Sequence, residues 1–242
     1  MTSNGNSTRE AGQIQLRRRL HNGITASVLY VYAKSIDDAT LGGRGQGTLF
    51  VAQNWLNLSG ERGLSPFDQR HQVTLTGQYT SGMGMHGGTL LSGWRGVAFK
   101  EWTVTSTLTV GTGSPLTPVY PEAVPGTGFI GTIRPDYTGA PIYTAQPGLF
   151  LNPSAFTAPL PGQWGNAGRD SITGPSQFTM IASLGRVFRL SDKLNLEVRM
   201  DATNILNHVV FGSYITQLNQ QFGLPSSPNA MRSILTTVRL RF

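Results

Sequence analysis

The stretch EWTVTSTLTVGTG, residues 101–113, decides the fold of this 242-residue chain. From residue 102 onward its side chains alternate in character. The apolar positions are Trp102, Val104, Leu108 and Val110, and Ser106 is the only small polar residue among them. The positions between them are Thr103, Thr105, Thr107 and Thr109. A period of two predicts a β-strand whose two faces meet different surroundings.

The composition favours a β protein with a polar but largely uncharged face. Charged residues make up 13% of the chain, about half of the usual share of ~25%. Hydrophobic residues make up 38%, and glycine contributes 30 residues. The low charge content argues against disorder. The absence of cysteine excludes disulfides, thiolate metal sites and cysteine nucleophiles.

The formal net charge of +7 does not indicate nucleic-acid binding. Such binding predicts basic residues clustered with aromatic ones, and the only tight basic cluster is Arg17-Arg18-Arg19. We interpret the charge as a solvated basic surface, with contact to anionic lipid headgroups as the alternative. We expect no nucleic-acid partner.

Seven segments predict strands, most of them with the same alternation. They span about 11–20, 24–34, 70–80, 100–111, 177–190, 193–205 and 232–242. Each has about ten residues, which is the length that a tilted strand needs to cross a bilayer, about 9–11 residues. A globular strand is shorter, at about five or six residues. We therefore predict an all-β fold, an antiparallel transmembrane β-barrel segment of about seven or eight strands.

The connections between these segments differ in length in a regular way. Short turns join two pairs of strands at His21-Asn22-Gly23 and Ser191-Asp192-Lys193. The links 35–69, 112–176 and 206–231 are long and rich in Gly, Pro, Ser and Asn, and the link 81–99 is intermediate. Outer-membrane barrels have short periplasmic turns and long extracellular loops. The pattern predicts that the short turns are periplasmic.

The two parities of the strands then have different assignments. We predict that the apolar parity faces lipid and the polar parity faces a wet lumen. The residues predicted to face lipid are Trp102, Val104, Leu108 and Val110. The residues predicted to face the lumen are Thr103, Thr105, Thr107, Glu197, Arg199 and Asp201. Arg186 interrupts the apolar parity of the fifth predicted strand near one end.

Motifs for catalysis or cofactor binding lack the context that their chemistry requires. A dinucleotide site needs G-x-G-x-x-G with a strand before it and an amphipathic helix after it. The match at 82–87 follows a predicted strand but leads into a segment without a helical period, and the match at 126–131 follows Pro125. The four histidines have no metal-ligand spacing. We interpret Asp37-Asp38, the only adjacent carboxylate pair, as a loop cap or a solvated pair. We expect no enzymatic activity, no cofactor and no metal site.

The chain ends on an aromatic residue after regular alternation, at Ile234, Val238, Leu240 and Phe242, with Thr236 between them. This ending resembles the signal that the bacterial barrel-assembly machinery reads. Trp102, Tyr79 and Phe188 lie near strand ends on the short-turn side, as Phe242 does. We interpret these aromatics as an interfacial girdle, with the core of a β-sandwich as the alternative.

The amino-acid sequences of the predicted strands resemble the C-terminal barrel portion of Oar-like TonB-dependent outer-membrane receptors. The resemblance covers residues ~10–242 and is carried by QIQLRRRLHNGITASVLYVYAKSIDDA (13–39), SPFDQRHQVTLTGQY (65–79), the segments 93–118 and 166–212, and VRLRF (238–242). Its most specific piece is TNILNH, residues 203–208. The family has an aromatic-rich N-L-F-N-H step there, whereas Ile205 and Leu206 are aliphatic.

This resemblance implies a role in ligand uptake across the outer membrane. In that family a carboxypeptidase-regulatory-like domain and a plug precede the barrel, and about 22 strands surround the plug. We therefore expect residues 11–242 to be the C-terminal part of a longer outer-membrane barrel, preceded by a disordered or loop N-terminus at 1–10. The expected partners are outer-membrane lipid, the barrel-assembly machinery, and the missing plug and TonB.

Two alternatives stay open at this point. An odd strand count leaves an open edge in lipid, so an eighth strand at 84–95 or 48–58 would make the chain a complete small barrel with an anchor or adhesin role. The other alternative is a soluble β-sandwich binding module. If Val104, Leu108 and Val110 lay in a dry protein core, the membrane assignment would be wrong.

Overall fold

The computed structural model describes residues 5–38, 52–54, 57–82, 93–128, 133–191 and 193–242. One α-helix is described, α1 (Gly93–Phe99), together with short 3₁₀ turns at Leu58–Glu61 and Pro153–Ala155. The described strands are β1 (Ser7–His21), β2 (Ile24–Asp37), β3 (Gly63–Leu64), β4 (His71–Thr80), β5 (Thr103–Gly111), β6 (Pro115–Leu116), β7 (Asp136–Tyr137), β8 (Phe156–Thr157), β9 (Ile172–Thr173), β10 (Gln177–Arg189), β11 (Asn195–Thr203), β12 (Phe211–Tyr214), β13 (Pro225–Pro228) and β14 (Ser233–Arg241). In the described ranges no helix is long and apolar enough to cross a membrane.

The seven long strands form one antiparallel sheet in the order β1-β2-β4-β5-β10-β11-β14, with the short β3 paired to β2. The all-β prediction is confirmed, and each of the seven predicted strands corresponds to one of these long strands. Since every long strand pairs with the next long strand along the chain, the sheet is a simple meander.

The strand ends differ from the prediction at two places. The first strand begins at Ser7, so residues 7–10, predicted as loop or disorder, are extended. The fourth predicted strand begins at Thr103 and not near residue 100, because Glu101 has a φ of 63°, a left-handed conformation that cannot continue a strand. The predicted turn residue Asp192 lies outside the described residues.

From β2 to β11 the register of the ladders places apolar and polar side chains in separate rows. Cross-strand partners lie on the same face, and one row of partners runs Ile24, Tyr79, Val104, Leu184 and Met200. The neighbouring row, on the opposite face, runs Thr25, Gln78, Thr105, Ser183 and Asp201. The sheet therefore has one apolar face and one polar face, as the alternation within single strands predicts.

Ser106 lies on the apolar face in a row of small residues. Its ladder partners are Gly77 and Ala182, and Ala182 pairs with Ala202. The Ser106 hydroxyl donates to the backbone carbonyl of Ile181 at 3.3 Å. The one polar residue on this parity of β5 thus has a hydrogen-bond partner on an otherwise apolar surface.

Neither face of the sheet is packed against a second sheet. Val104 and Val110 are 41% and 38% exposed, and β1 is exposed along its whole length. Within the described part of the chain, β1 pairs only with β2 and β14 only with β11, so both ends of the sheet are open edges. A β-sandwich buries one face of each sheet against the other, and this sheet does not.

The described residues contain no eighth long strand. Of the candidate 84–95, residues 84–92 lie outside the described residues and residues 93–95 are helical. Of the candidate 48–58, residues 48–51 and 55–56 lie outside the described residues, and the remainder is not extended in a ladder. Helix α1 begins at Gly93, whose φ of 58° is a turn conformation that glycine adopts readily.

The link 112–176, interpreted from the sequence as a long loop, is a folded unit with its own core. Short strand pairs β6–β9 and β7–β8 organise it, and β12–β13 lies in the last long link. Its buried apolar cluster consists of Leu151, Ala155, Phe156, Ala167, Ile172 and, from the last link, Phe222. The segment is too rich in glycine and proline for long strands, yet it carries enough apolar side chains to form a small buried cluster.

Candidate functional site

The long links pack together into what we call the loop layer, formed by the described residues of 52–70, 112–176 and 206–231. The layer contacts the last residues of β2. Here Ala33, Ser35 and Asp37 are buried, whereas Tyr32 and Lys34, on the other parity of the strand, are exposed. These buried positions share their parity with Thr25, which belongs to the polar face. The loop layer therefore lies over the polar face of the sheet, at the end from which the long links extend.

A buried ionic cluster, consisting of Asp37, Glu61, Arg134, Arg169 and Asp170, holds this layer to β2. The Arg169 guanidinium donates to the Asp37 backbone carbonyl at 2.6 Å and forms an ion pair with the Asp37 carboxylate. Arg169 Nε donates to the Glu61 carbonyl oxygen at 2.7 Å, and Nη1 donates to Asp170 Oδ2 at 3.1 Å. One side chain thus joins a strand end, the 3₁₀ turn and its own loop.

Arg134 makes the second connection within the cluster. Its Nη1 contacts Glu61 Oε2 at 2.7 Å and its Nε donates to the Ala167 carbonyl at 2.8 Å. Gln53 completes the arrangement, because its Nε2 donates to the Gly165 carbonyl at 2.9 Å and its Oε1 accepts from the Arg134 backbone N–H at 3.1 Å. A Cβ at Gly165 would lie 1.8 Å from the Arg134 carbonyl oxygen, so this close approach requires glycine.

Asp170 is a member of the cluster with a raised pKa. Burial raises its pKa from 3.8 to about 6, and this outweighs the hydrogen bond from Thr117 and the nearby Arg169, which both lower it. Thr117 Oγ1 donates to Asp170 Oδ1 at 2.8 Å and accepts from the Asp170 backbone N–H at 3.0 Å. The residue has a φ of 54°, a left-handed conformation in which Asp and Asn are enriched. Its charge state changes in a mildly acidic medium.

Two clefts open in the loop layer. One, of about 400 Å³, lies where the layer meets the tops of β5 and β10, between Gly113, Tyr143, Gly174 and Tyr214. The other, of about 370 Å³, lies between Tyr137, Ile142, Phe156 and Asn166. Both are within the size range of small-ligand sites, about 300–1,000 Å³. In the described residues no group of three or more His, Asp or Glu is placed to hold a metal ion.

The residues that the sequence predicted to face the lumen lie together on the polar face. Thr103 and Thr105 align with Gly185 and Ser183, and these align with Arg199 and Asp201. Arg199 and Asp201 form an ion pair at 2.7 Å, and Glu197 accepts from Arg241 at 3.0 Å. The charged side chains of β11 and β14 therefore gather on this one face.

The residues that the sequence predicted to face lipid lie on the opposite face. Val104, Leu108 and Val110 align with Leu184, Met180 and Phe178 of β10, and none of these three residues of β5 lies in a protein core. Trp102 precedes β5 and packs edge-to-face on Phe188, with ring centroids 6.1 Å apart.

The residues of the predicted assembly signal lie on the open edge strand. Ile234, Val238 and Leu240 are exposed on β14, and Phe242 is exposed just beyond its end. Their partners in β11 are Ala202, Val198 and Leu196, all on the apolar face. Their exposure leaves them accessible to another protein or to lipid.

The buried ionic cluster is the feature that sequence reasoning missed. Asp37 was interpreted as a loop cap or a solvated residue, but it is buried and paired with Arg169. The only sequence signal for the cluster is indirect: Glu61, Arg134, Arg169 and Asp170 are charged residues within links of mostly uncharged composition.

Comparison with known proteins gives one match. A family model described as an outer membrane beta barrel domain matches residues 1–234. No curated protein and no solved structure matches the chain significantly.

We predict that replacing Arg169 by methionine opens the loop layer. The change removes the guanidinium that both Asp37 and Asp170 contact, and breaking a buried ion pair costs about 3–5 kcal/mol. Chymotrypsin cleavage after the buried Phe156 measures the opening. The matched control is Arg62→Met, which removes an exposed arginine one residue from Glu61. Equal cleavage rates in the two variants would contradict the role of Arg169.

We also predict that the loop layer becomes more stable as the pH falls from 8 to 5. Because the folded-state pKa of Asp170, about 6, lies above the ordinary value of 3.8, the folded state binds more protons between these pH values and its stability rises as the pH falls. The gain is about 1 kcal/mol at pH 5, from 1.36 kcal/mol per pKa unit.

Hydrogen exchange of the Ala167 and Asp170 amides, corrected for the intrinsic rate at each pH, measures this change. Asp170→Asn removes the titrating group and should flatten the pH dependence. The control Glu122→Gln removes an exposed carboxylate of the same layer and should leave the dependence intact. A slope that survives Asp170→Asn would assign the effect to another group.

Proposed function

The chain belongs to the outer membrane beta barrel domain family and lies in the outer membrane, and from this premise we propose that it is the C-terminal barrel segment of a TonB-dependent receptor. In this proposal the segment forms part of the wall of a larger barrel. The receptor takes up a ligand from outside the cell with energy supplied through TonB. The chain contributes the wall and the ligand-facing loops, and other parts of the receptor contribute the plug and the TonB contact.

The observation that carries the proposal is the pair of open edges at β1 and β14. In the described residues these strands have a partner on one side only. An unpaired backbone group in the hydrocarbon region costs several kcal/mol, so β1 and β14 require further strands. The seven-stranded meander is therefore better explained as an arc of a larger barrel than as a complete one.

The side chains of the polar face support the proposal that the barrel has a wide, water-filled interior. Arg199, Asp201, Glu197 and Arg241 form ion pairs there and remain partly exposed. A charged side chain at the bilayer centre costs at least about 2.5–3.5 kcal/mol, so this face does not contact lipid. An eight-stranded barrel fills its interior with side chains, whereas these side chains leave the polar face uncovered below the loop layer.

The loop layer supports a role in ligand capture. It lies over the polar face at the end opposite the short turns, which is the extracellular end in outer-membrane barrels. The buried ionic cluster fixes it to β2, and its two clefts have the size of small-ligand sites. A rigid layer with preformed clefts loses little conformational entropy on binding.

We predict that an arginine destabilises the protein far more at position 108 of β5 than at the neighbouring position 107. Leu108→Arg places a charge on the apolar face near the middle of the strand and should cost about 2–4 kcal/mol. Thr107→Arg, the matched control, places it on the polar face and should cost far less. The measurement is the free energy of unfolding by urea of the complete gene product in phosphatidylcholine vesicles. A larger loss for Thr107→Arg would invert the proposed sidedness.

The fragment proposal has its own test. We expect the complete reading frame around this chain to encode further alternating strands and a plug. We also expect the 242-residue chain alone, refolded in detergent, to migrate in an unheated gel as it does after boiling. A compact, heat-modifiable form of the chain alone would favour the complete small barrel with an anchor or adhesin role and would overturn the receptor segment.

A further inference from the structure

Helix α1 lies outside the ladder on the apolar face of the sheet, at its short-turn end. The link that contains it joins β4 to β5. Trp102, which follows the helix, shares the parity of Val104 and donates from its indole Nε1 to the Ala98 carbonyl at 3.0 Å. The helix is thus connected to the face that the proposed function assigns to lipid.

Arg186 fastens the helix to β10. It interrupts the apolar parity of that strand, and its side chain is buried. Its guanidinium donates to the carbonyls of Val97 at 2.5 Å and Ala98 at 2.7 Å, which lie in the last turn of α1. Carbonyls at a helix C-terminus lack intrahelical partners and favour a cation.

Two aromatic rings complete the surroundings of Arg186. Its guanidinium carbon lies 4.4 Å from the Phe188 ring centroid and 5.9 Å from that of Trp102, both within the range of a cation–π contact. An arginine on the lipid face is strongly destabilising at the midplane of the bilayer and nearly neutral near the interface. Arg186 lies near the end of β10, where that cost is small.

The outer surface of α1 is apolar and uncovered. Trp94 and Val97 are each 72% exposed and Phe99 is 59% exposed, while Gly96 is the one buried residue of the helix. Trp94 and Val97 lie one turn apart on the same side of the helix. The Arg95 guanidinium carbon lies 5.6 Å from the Trp94 ring centroid, so a cation borders the apolar surface.

We propose that α1 is an interfacial anchor that lies in the headgroup layer of the periplasmic leaflet and binds phospholipid. The inference rests on the sidedness in the proposed function, because it continues the lipid-facing surface of β5 and β10 onto the helix. Tryptophan and phenylalanine with a bordering arginine suit the boundary between acyl chains and headgroups. Arg95 and Lys100, partly balanced by Glu101, give this end a net positive charge that complements anionic headgroups.

A test by single labels is direct because this chain contains no cysteine, and any cysteine elsewhere in the complete gene product is first replaced by serine. The environment-sensitive fluorophore NBD is attached at Val97→Cys in the complete gene product, reconstituted in vesicles of phosphatidylcholine with phosphatidylglycerol. Quenching by doxyl groups at shallow and deep acyl positions measures contact with lipid, and quenching by iodide measures contact with water. Val97 is exposed, so its replacement leaves the packing of the helix intact.

We expect the label at residue 97 to be quenched by the shallow doxyl lipid and shielded from iodide. Two calibration labels accompany it: Leu108→Cys, expected to meet the deep doxyl lipid, and Thr107→Cys, expected to meet iodide. If residues 107 and 108 behave as expected but residue 97 is quenched by iodide, the anchor is wrong and the receptor segment stands. If 107 and 108 do not differ, the sidedness itself is wrong.

Two further outcomes bear on the anchor. Shielding of residue 97 from both iodide and doxyl lipid would indicate a protein partner on α1 and would overturn lipid binding. Arg186→Gln removes the cation that holds the helix C-terminus and should raise iodide quenching at residue 97. The control Arg189→Gln changes an exposed arginine of the same strand, on the other parity, and should leave that quenching unchanged. Equal effects of the two substitutions would contradict the fastening role of Arg186.

Discussion

The structure depends on one constraint, which is that every peptide group of a strand in lipid must find its partner in a neighbouring strand. The six ladders of the sheet meet this requirement for the inner strands β2, β4, β5, β10 and β11. Since the backbone groups of the inner strands are already hydrogen-bonded in the ladders, only the side chains differ between the two faces of the sheet. Their alternation then follows from the pleat alone.

Above the sheet the physical rules are those of a water-soluble protein. The loop layer has a buried apolar cluster around Phe156 and Phe222, with ring centroids 5.6 Å apart. It also buries charges, and buried charges persist when they are paired and hydrogen-bonded. One chain therefore combines a sheet with an exposed apolar face and a loop layer with a buried apolar core, and the ion pair of Asp37 with Arg169 connects the two parts.

The sequence allowed the long strands and their faces to be predicted, because the signal is local: each strand carries its own alternation, as in residues 103–110. It did not allow the loop layer to be predicted. Asp37 and Arg169 are far apart in the chain, and nothing near either residue specifies the other. Helix α1 escaped prediction for a different reason. Only Gly96 of the helix is buried, so α1 has no apolar stripe that faces the protein. A stripe of that kind is the sequence pattern from which a surface helix is predicted.

The order of the strands has a consequence for how the molecule is made. Each long strand pairs with its neighbour in the chain, so no ladder of the sheet needs a crossover, and the longest link between paired strands is the one from β5 to β10. The contact of Arg169 with Asp37 joins two residues that are 132 positions apart in the chain. The ladders of β2 with β4 and of β4 with β5 bring the two segments together and so reduce the loop-closure cost of this contact, which makes the ion pair dependent on the strands beneath it.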